Sequence, residues 1–227
     1  READAILATK AGPEIGVAST KAFTSQLIVL ISFAVALAEA KGHISRERSD
    51  ELQTQIQLLP GLVGRVLTSW DSIKPIAHRL KSSQTALFLG RGLLFPIALE
   101  GALKLKELSY IHAEGFASGE MKHGPIALIE DNLPIIALLA NDKLIDKSVS
   151  NLKEASARGG RIILITDERV VDSVDFFDEL ISVPAVDPIL APILLTIPVQ
   201  ILAYLTALNK GTDVDQPRNL AKSVTVE

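Results

Sequence analysis

"LPIIALLANDKLIDKSVSNLKEASARGGRIILIT", residues 133–166, reads as strand, helix, strand. Residues 133–140 are apolar almost throughout and predict a buried strand. Residues 144–158 carry apolar side chains at helical spacing, and Gly159-Gly160 marks the stop. Residues 161–166 (RIILIT) then predict the next strand. On either side lie two more short runs, residues 83–90 (SQTALFLG) and 179–183 (ELISV). Strands rich in Ile, Leu and Val that alternate with helices imply a parallel sheet covered on both faces. Residues 83–209 are therefore expected to form one α/β domain, a doubly wound three-layer αβα parallel sheet. Ligands in such folds bind beyond the carboxyl ends of the strands.

Between the first two strands lies "IALEGALKLKEL", residues 97–108, with Pro96 suited to a first helical turn. Apolar residues surround the axis, the pattern of a buried helix. Yet Glu100, Lys104 and Glu107 fall within an arc of about 60° at 3.6 residues per turn. As an exposed pair, Glu100 and Lys104 would stabilise the helix by only about 0.2–0.5 kcal/mol. Inside a cleft the same charges need one another, a substrate, or both. Burial is also what moves carboxylate and lysine pKa values toward acid–base work. The fold reading places such a stripe, and Glu107 with it, beyond the carboxyl edge of the sheet.

Upstream, residues 20–81 lack strand signals and predict helices over Lys21 to Ala40, Arg46 to Leu67 and Asp71 to Leu80, with a break at Pro60-Gly61. Residues 22–38 and 189–208 carry no charge and approach the roughly 20 residues that a bilayer requires. Pro192, Pro198 and Gln200 interrupt the second run, and neither run has a positive-inside bias. Buried helices or a subunit interface account for both better than a membrane does. Residues 211–227 show neither period and predict a loop or disorder.

Net charge is −4, and the few aromatic residues offer no base-stacking platform, so nucleic acid is not an expected partner. The 227 residues include no cysteine, which removes disulfides, thiolate metal sites and cysteine nucleophiles together. The chain opens at Arg1 with no methionine and no leader pattern, which fits a cytoplasmic fragment of a longer protein.

Three stretches could carry chemistry. "LGRG", Leu89–Gly92, is a glycine turn between strand and helix that could hold an anion or simply be tight. "GEMKHGP", Gly119–Pro125, sets His123 on a turn, where it could act as an acid–base group near neutral pH or be inert. Lys222 in the tail would be an ordinary solvated lysine unless the tail folds over a site. His43, His78 and His112 have no suggestive neighbours in sequence.

Taken together, "FLGRG", "PIALEGALKLKELSYIHAEGFASGEMKHGP", "KGTDVDQPRNLAKSVTVE" and the upstream "AGPEIGVASTKAFTSQL" closely resemble the isomerase half of the glucosamine-6-phosphate synthase family, the isomerising glutamine–fructose-6-phosphate aminotransferases. The resemblance runs over the entire chain. It implies tandem sugar-isomerase domains. Residues 1–82 would be the end of the first domain and its helical connector, residues 83–209 the second domain, and residues 210–227 a catalytic tail. It further implies that Lys222 forms a Schiff base with an open-chain keto sugar phosphate and that Glu107 moves the proton between C1 and C2. Lys104 would assist beside Glu107, and Glu100 would order the same stripe. His123 would open the sugar ring from the neighbouring subunit of a homodimer. Val17, Ser19 and Ala221 would line the sugar. No metal or other cofactor is implied.

The family's phosphate-holding Ser/Thr-rich loop and its glutaminase cysteine both lie upstream of Arg1, so the fragment is expected to be inactive alone. A non-catalytic sugar-phosphate-binding regulatory module would explain the fold and the LGRG turn. It would leave Lys222 and the charged stripe without a purpose. A structural interaction domain would rest only on the two uncharged helices.

Overall fold

The computed structural model describes residues 3–222. Three helices come first, α1 (Lys21–Ala40), α2 (Arg46–Leu67) and α3 (Trp70–Leu80). They lead into β1 (Thr85–Gly90), α4 (Phe95–Ser109), β2 (His112–Ala117) and β3 (Pro134–Leu139). The chain continues through α5 (Ile145–Ser156), β4 (Arg161–Asp167) and β5 (Glu179–Val183) to α6 (Ala191–Lys210). All pairings are parallel, in the order β2-β1-β3-β4-β5.

The uninterrupted apolar strands follow from a sheet buried on both faces. Phe88, Ile136, Leu138, Ile163 and Ile165 join one core with α3, α4 and α6. Their neighbours Leu87, Leu89, Ile135, Ala137, Ile162 and Leu164 join a second core with Leu152 and Ala155 of α5. The result is the expected three-layer αβα arrangement. At Gly101 in α4 a Cβ would stand 2.6 Å from the Phe88 ring, so the small residue lets the helix close onto the sheet.

Two elements differ from expectation. β2 carries no apolar run and was not legible as a strand. It is the edge of the sheet, bonded only to β1, and of its six residues only Ala113 is fully buried. An edge strand with one half-wet face needs little hydrophobicity. The second difference is α2, which runs unbroken through Pro60. Pro60 and Gly61 face solvent, so water can serve the carbonyl that the missing N–H leaves unbonded.

The two uncharged helices have different fates. α6 is 83 % buried in its apolar window, inside this chain rather than against a second one. α1 is 6 % buried in its window, and Val35 is its only fully buried residue.

Candidate functional site

The charged stripe of α4 faces inward. Lys104 is buried, its side chain 3 % exposed, and Glu100 is buried beside it, whereas Leu99 and Leu103 of the same helix face outward. Lys104 Nζ donates to Glu107 Oε2 at 2.6 Å and stands 3.5 Å from Glu100 Oε1. One ammonium therefore serves two carboxylates. Burial pushes the Glu100 carboxyl above the usual carboxylate range; the Lys104 ammonium pulls it back, and the Glu107 charge adds to the rise. Glu107, at 21 % exposure, is the member of the trio that remains open to an incoming group.

Stability alone gives no reason for this trio. Replacing a buried ion cluster by apolar residues of similar volume is often neutral or stabilising. Such a cluster is a candidate for chemistry.

The stripe does not lie beyond the carboxyl edge of the sheet, which corrects the expectation. α4 leaves β1 at that edge and runs back, and Glu107 sits one turn before His112, whose register partner Thr85 opens β1. The stripe therefore runs from mid-sheet at Glu100 toward the amino edge at Glu107, and its Lys104 faces the space between α4 and α6. There, a cavity of about 300 Å³ is lined by Lys104 and Leu108 of α4, Gln200 and Tyr204 of α6, and residues from 13–21 and 214–215.

Both chain ends close over this cavity. Val17 N–H donates to Asp215 C=O at 2.9 Å, and Gln200 Nε2 donates to Thr20 C=O at 3.3 Å. The tail's described residues, up to 222, are strapped to the end of α4, where a loop or disorder was expected; residues 223–227 lie outside the described residues. Thr212 Oγ1 donates to Leu108 C=O at 2.6 Å, and Arg218 N–H donates to the Tyr110 hydroxyl at 2.8 Å. The Arg218 guanidinium also stacks over the Tyr110 ring, 4.2 Å from its centre. At the last described residue, Lys222 Nζ donates to Gly16 C=O at 2.8 Å and lies 3.5 Å from Glu14 Oε2.

The chain thus sets Lys104 on one wall of the cavity with Glu100 and Glu107 paired to it, Ser19 on the loop that closes the cavity, and Lys222 on the tail against that loop. Ser19 hydroxyl donates to Glu14 Oε2 at 3.2 Å. Val17 spends its N–H on the tail, and Ala221 is exposed beside Lys222. His123 is not brought there. It is exposed at the end of a 3-10 segment that follows β2, near the opposite edge of the sheet. The six residues of β2 span roughly 20 Å at 3.3 Å each. The LGRG turn is likewise at that far edge. A Cβ at Gly90 would meet Leu94 C=O at 2.2 Å, so tightness alone accounts for the glycine, and Arg91 donates to Asn151 of α5 at 3.1 Å.

The sequence profile of the SIS domain matches residues 79–210. The chain belongs to the SIS domain family. The glutamine–fructose-6-phosphate aminotransferase [isomerizing] of Rhizobium meliloti (strain 1021) is 54 % identical over 230 residues, which take in 100 % of this chain and 38 % of that protein. A protein of the same name from Brucella abortus is 53 % identical over 229 residues, again 100 % of this chain and 38 % of the relative. The chain therefore spans well under half the length of the relatives that it matches. Among solved structures, the C-terminal domain of glucosamine-fructose-6-phosphate aminotransferase from Francisella tularensis superposes with TM-score 0.88 at 47 % identity, covering 91 % of this chain and 58 % of that one. A glucosamine-6-phosphate deaminase from Thermotoga maritima gives 0.68 at 27 % identity, covering 94 % and 59 %.

Sequence reasoning missed Glu14, Tyr110 and Arg218 around this SIS domain's cavity. Glu14 and Arg218 lie in segments with neither helical nor strand period, where no pattern signals contact. Tyr110 left a trace, since it follows the last helical residue and adopts the left-handed conformation (φ 60°).

Proposed function

We propose that this chain is the isomerase part of a cytoplasmic glutamine–fructose-6-phosphate aminotransferase. It would act on a ketose phosphate by Schiff-base formation and proton transfer between C1 and C2. The observation that carries this reading is the Glu100–Lys104–Glu107 trio, whose buried Lys104 lines a cavity that Lys222 approaches from the cover.

Lys222 supplies the nucleophile. Its nitrogen bonds to C2 of the open-chain ketose, and the carbonyl oxygen leaves as water. The resulting iminium withdraws electrons from C1 and acidifies its protons. Ammonia from glutamine then replaces Lys222 at C2, giving the sugar's own iminium and the free lysine amine. Glu107 takes the C1 proton and returns it at C2, while the Lys104 ammonium holds the carboxylate in place. Glu100, buried and short of hydrogen-bond partners, keeps Lys104 on the stripe. Ser19, Val17 and Ala221 shape the wall around the sugar. His123 opens the ring from a second copy of the chain, which fits its exposed place far from its own Glu107.

Residues 1–82 belong, in this reading, to the end of a preceding like domain and its connector. That domain would cover α1 and carry the phosphate site; residues 210–227 are the catalytic tail. Glu107→Gln in the complete gene product keeps the shape and removes the base. Turnover should fall by roughly 10²–10⁴-fold, the scale of a general base, with borohydride trapping of fructose 6-phosphate retained. Normal turnover would return the trio to a structural ion cluster.

A further inference from the structure

Segment 13–20 has no helix or strand, yet Glu14 gives it one shape. Its Oε1 accepts from Thr20 N–H at 2.7 Å and from the Thr20 hydroxyl at 3.0 Å. Thr20 is the N-cap of α1, so these two bonds tie Glu14 to the point where the segment enters the helix. The other oxygen, Oε2, turns away from this task toward the far end of the chain, where Lys222 Nζ lies 3.5 Å off. The Glu14 side chain is 9 % exposed and that of Lys222 is 48 % exposed. A fixed, nearly buried anion thus faces a lysine whose nitrogen still reaches solvent.

We propose that Glu14 is a positioning residue for the reaction: it fixes the end of Lys222 over the cavity and keeps its nitrogen positively charged once bonded to sugar carbon. This inference rests on the reading of Lys222 given above. Ammonium plus ketone gives iminium plus one water, with charge conserved. The iminium is the electrophile that ammonia must attack at C2 to release Lys222; the neutral imine is a far weaker one. An anion beside the nitrogen favours the protonated form. Burial alone would raise the Glu14 carboxyl. The hydrogen bonds from Thr20 and Ser19, with the Lys222 charge, outweigh it and lower it to about 2. The anion is therefore present at any working pH. The other charged groups around the same cavity are Lys21 of α1, Lys104 of α4 and Asp215 of the tail.

Cyanoborohydride reduces the iminium and spares the neutral imine, so the alkaline limb of trapping reports the protonation of the bonded nitrogen. The test uses the complete gene product and fructose 6-phosphate, with the labelled lysine identified by mass spectrometry. Glu14→Gln keeps an oxygen for Thr20 N–H and removes the charge. It should move the alkaline limb down by about 1 unit, the low end of what a neighbouring opposite charge does. Thr20→Val removes the hydroxyl's hydrogen bond to Glu14 but no charge and should leave the limb in place. Glu14→Ala should trap weakly and regain trapping in formate, with the alkaline limb returned to its place. An unmoved limb in Glu14→Gln, or no formate rescue, overturns the inference while leaving the role of Lys222 intact. No trapping on Lys222 in the unsubstituted protein overturns both.

Discussion

α6 and α1 are the same kind of helix in different surroundings. Each has 20 residues, and their apolar windows have the same mean hydropathy, 1.8. α6 follows β5, crosses one face of the sheet and is enclosed by α3 and α4. α1 precedes every strand, lies against α2 and one end of α6, and leaves Leu30, Phe33 and Leu37 exposed. Apolar content states what a helix needs covered; chain order decides what is available to cover it. The difference also bears on the site. One wall of the cavity stands on the finished core of α4 and α6, while its cover is formed by the segment leading into α1 and by the tail.

Truncation inside the finished helix should have the largest effect on stability. Leu202, fully buried in α6, replaced by alanine is expected to cost about 2–5 kcal/mol, read from urea unfolding of the 227-residue chain. The same change at Leu30 of α1, 62 % exposed, should stay within about 0.5 kcal/mol in that chain. Repeating Leu30→Ala in the complete gene product sharpens the comparison. A cost there above about 2 kcal/mol would match the covering domain proposed for α1, and an unchanged value would remove it.

How much was legible in the sequence follows from the same contrast. Elements buried on all sides declare themselves by composition, as residues 133–140 and 161–166 do. Neighbours across the chain do not. The periodicity of residues 97–108 set Glu100, Lys104 and Glu107 on one stripe, but it could not say which way the stripe faced. That depended on α6, the loop at 13–20 and the tail, all remote in sequence. The general rule for ligands at a carboxyl edge misplaced Glu107, because here the cavity is built between the layer helices α4 and α6 and the segments that cover them. β2 and Glu14 were lost for a shared reason: each takes its place from the partners it bonds to, with no pattern of its own.

The central claim, that Lys222 is the amine which bonds the sugar, is tested most directly by locating the adduct. The complete gene product is reduced with borohydride in the presence of fructose 6-phosphate, and the modified peptide is sequenced by mass spectrometry. The account predicts one sugar, on Lys222, and none in Lys222→Ala. A sugar on Lys104 or Lys21, or an undiminished adduct in Lys222→Ala, would contradict it.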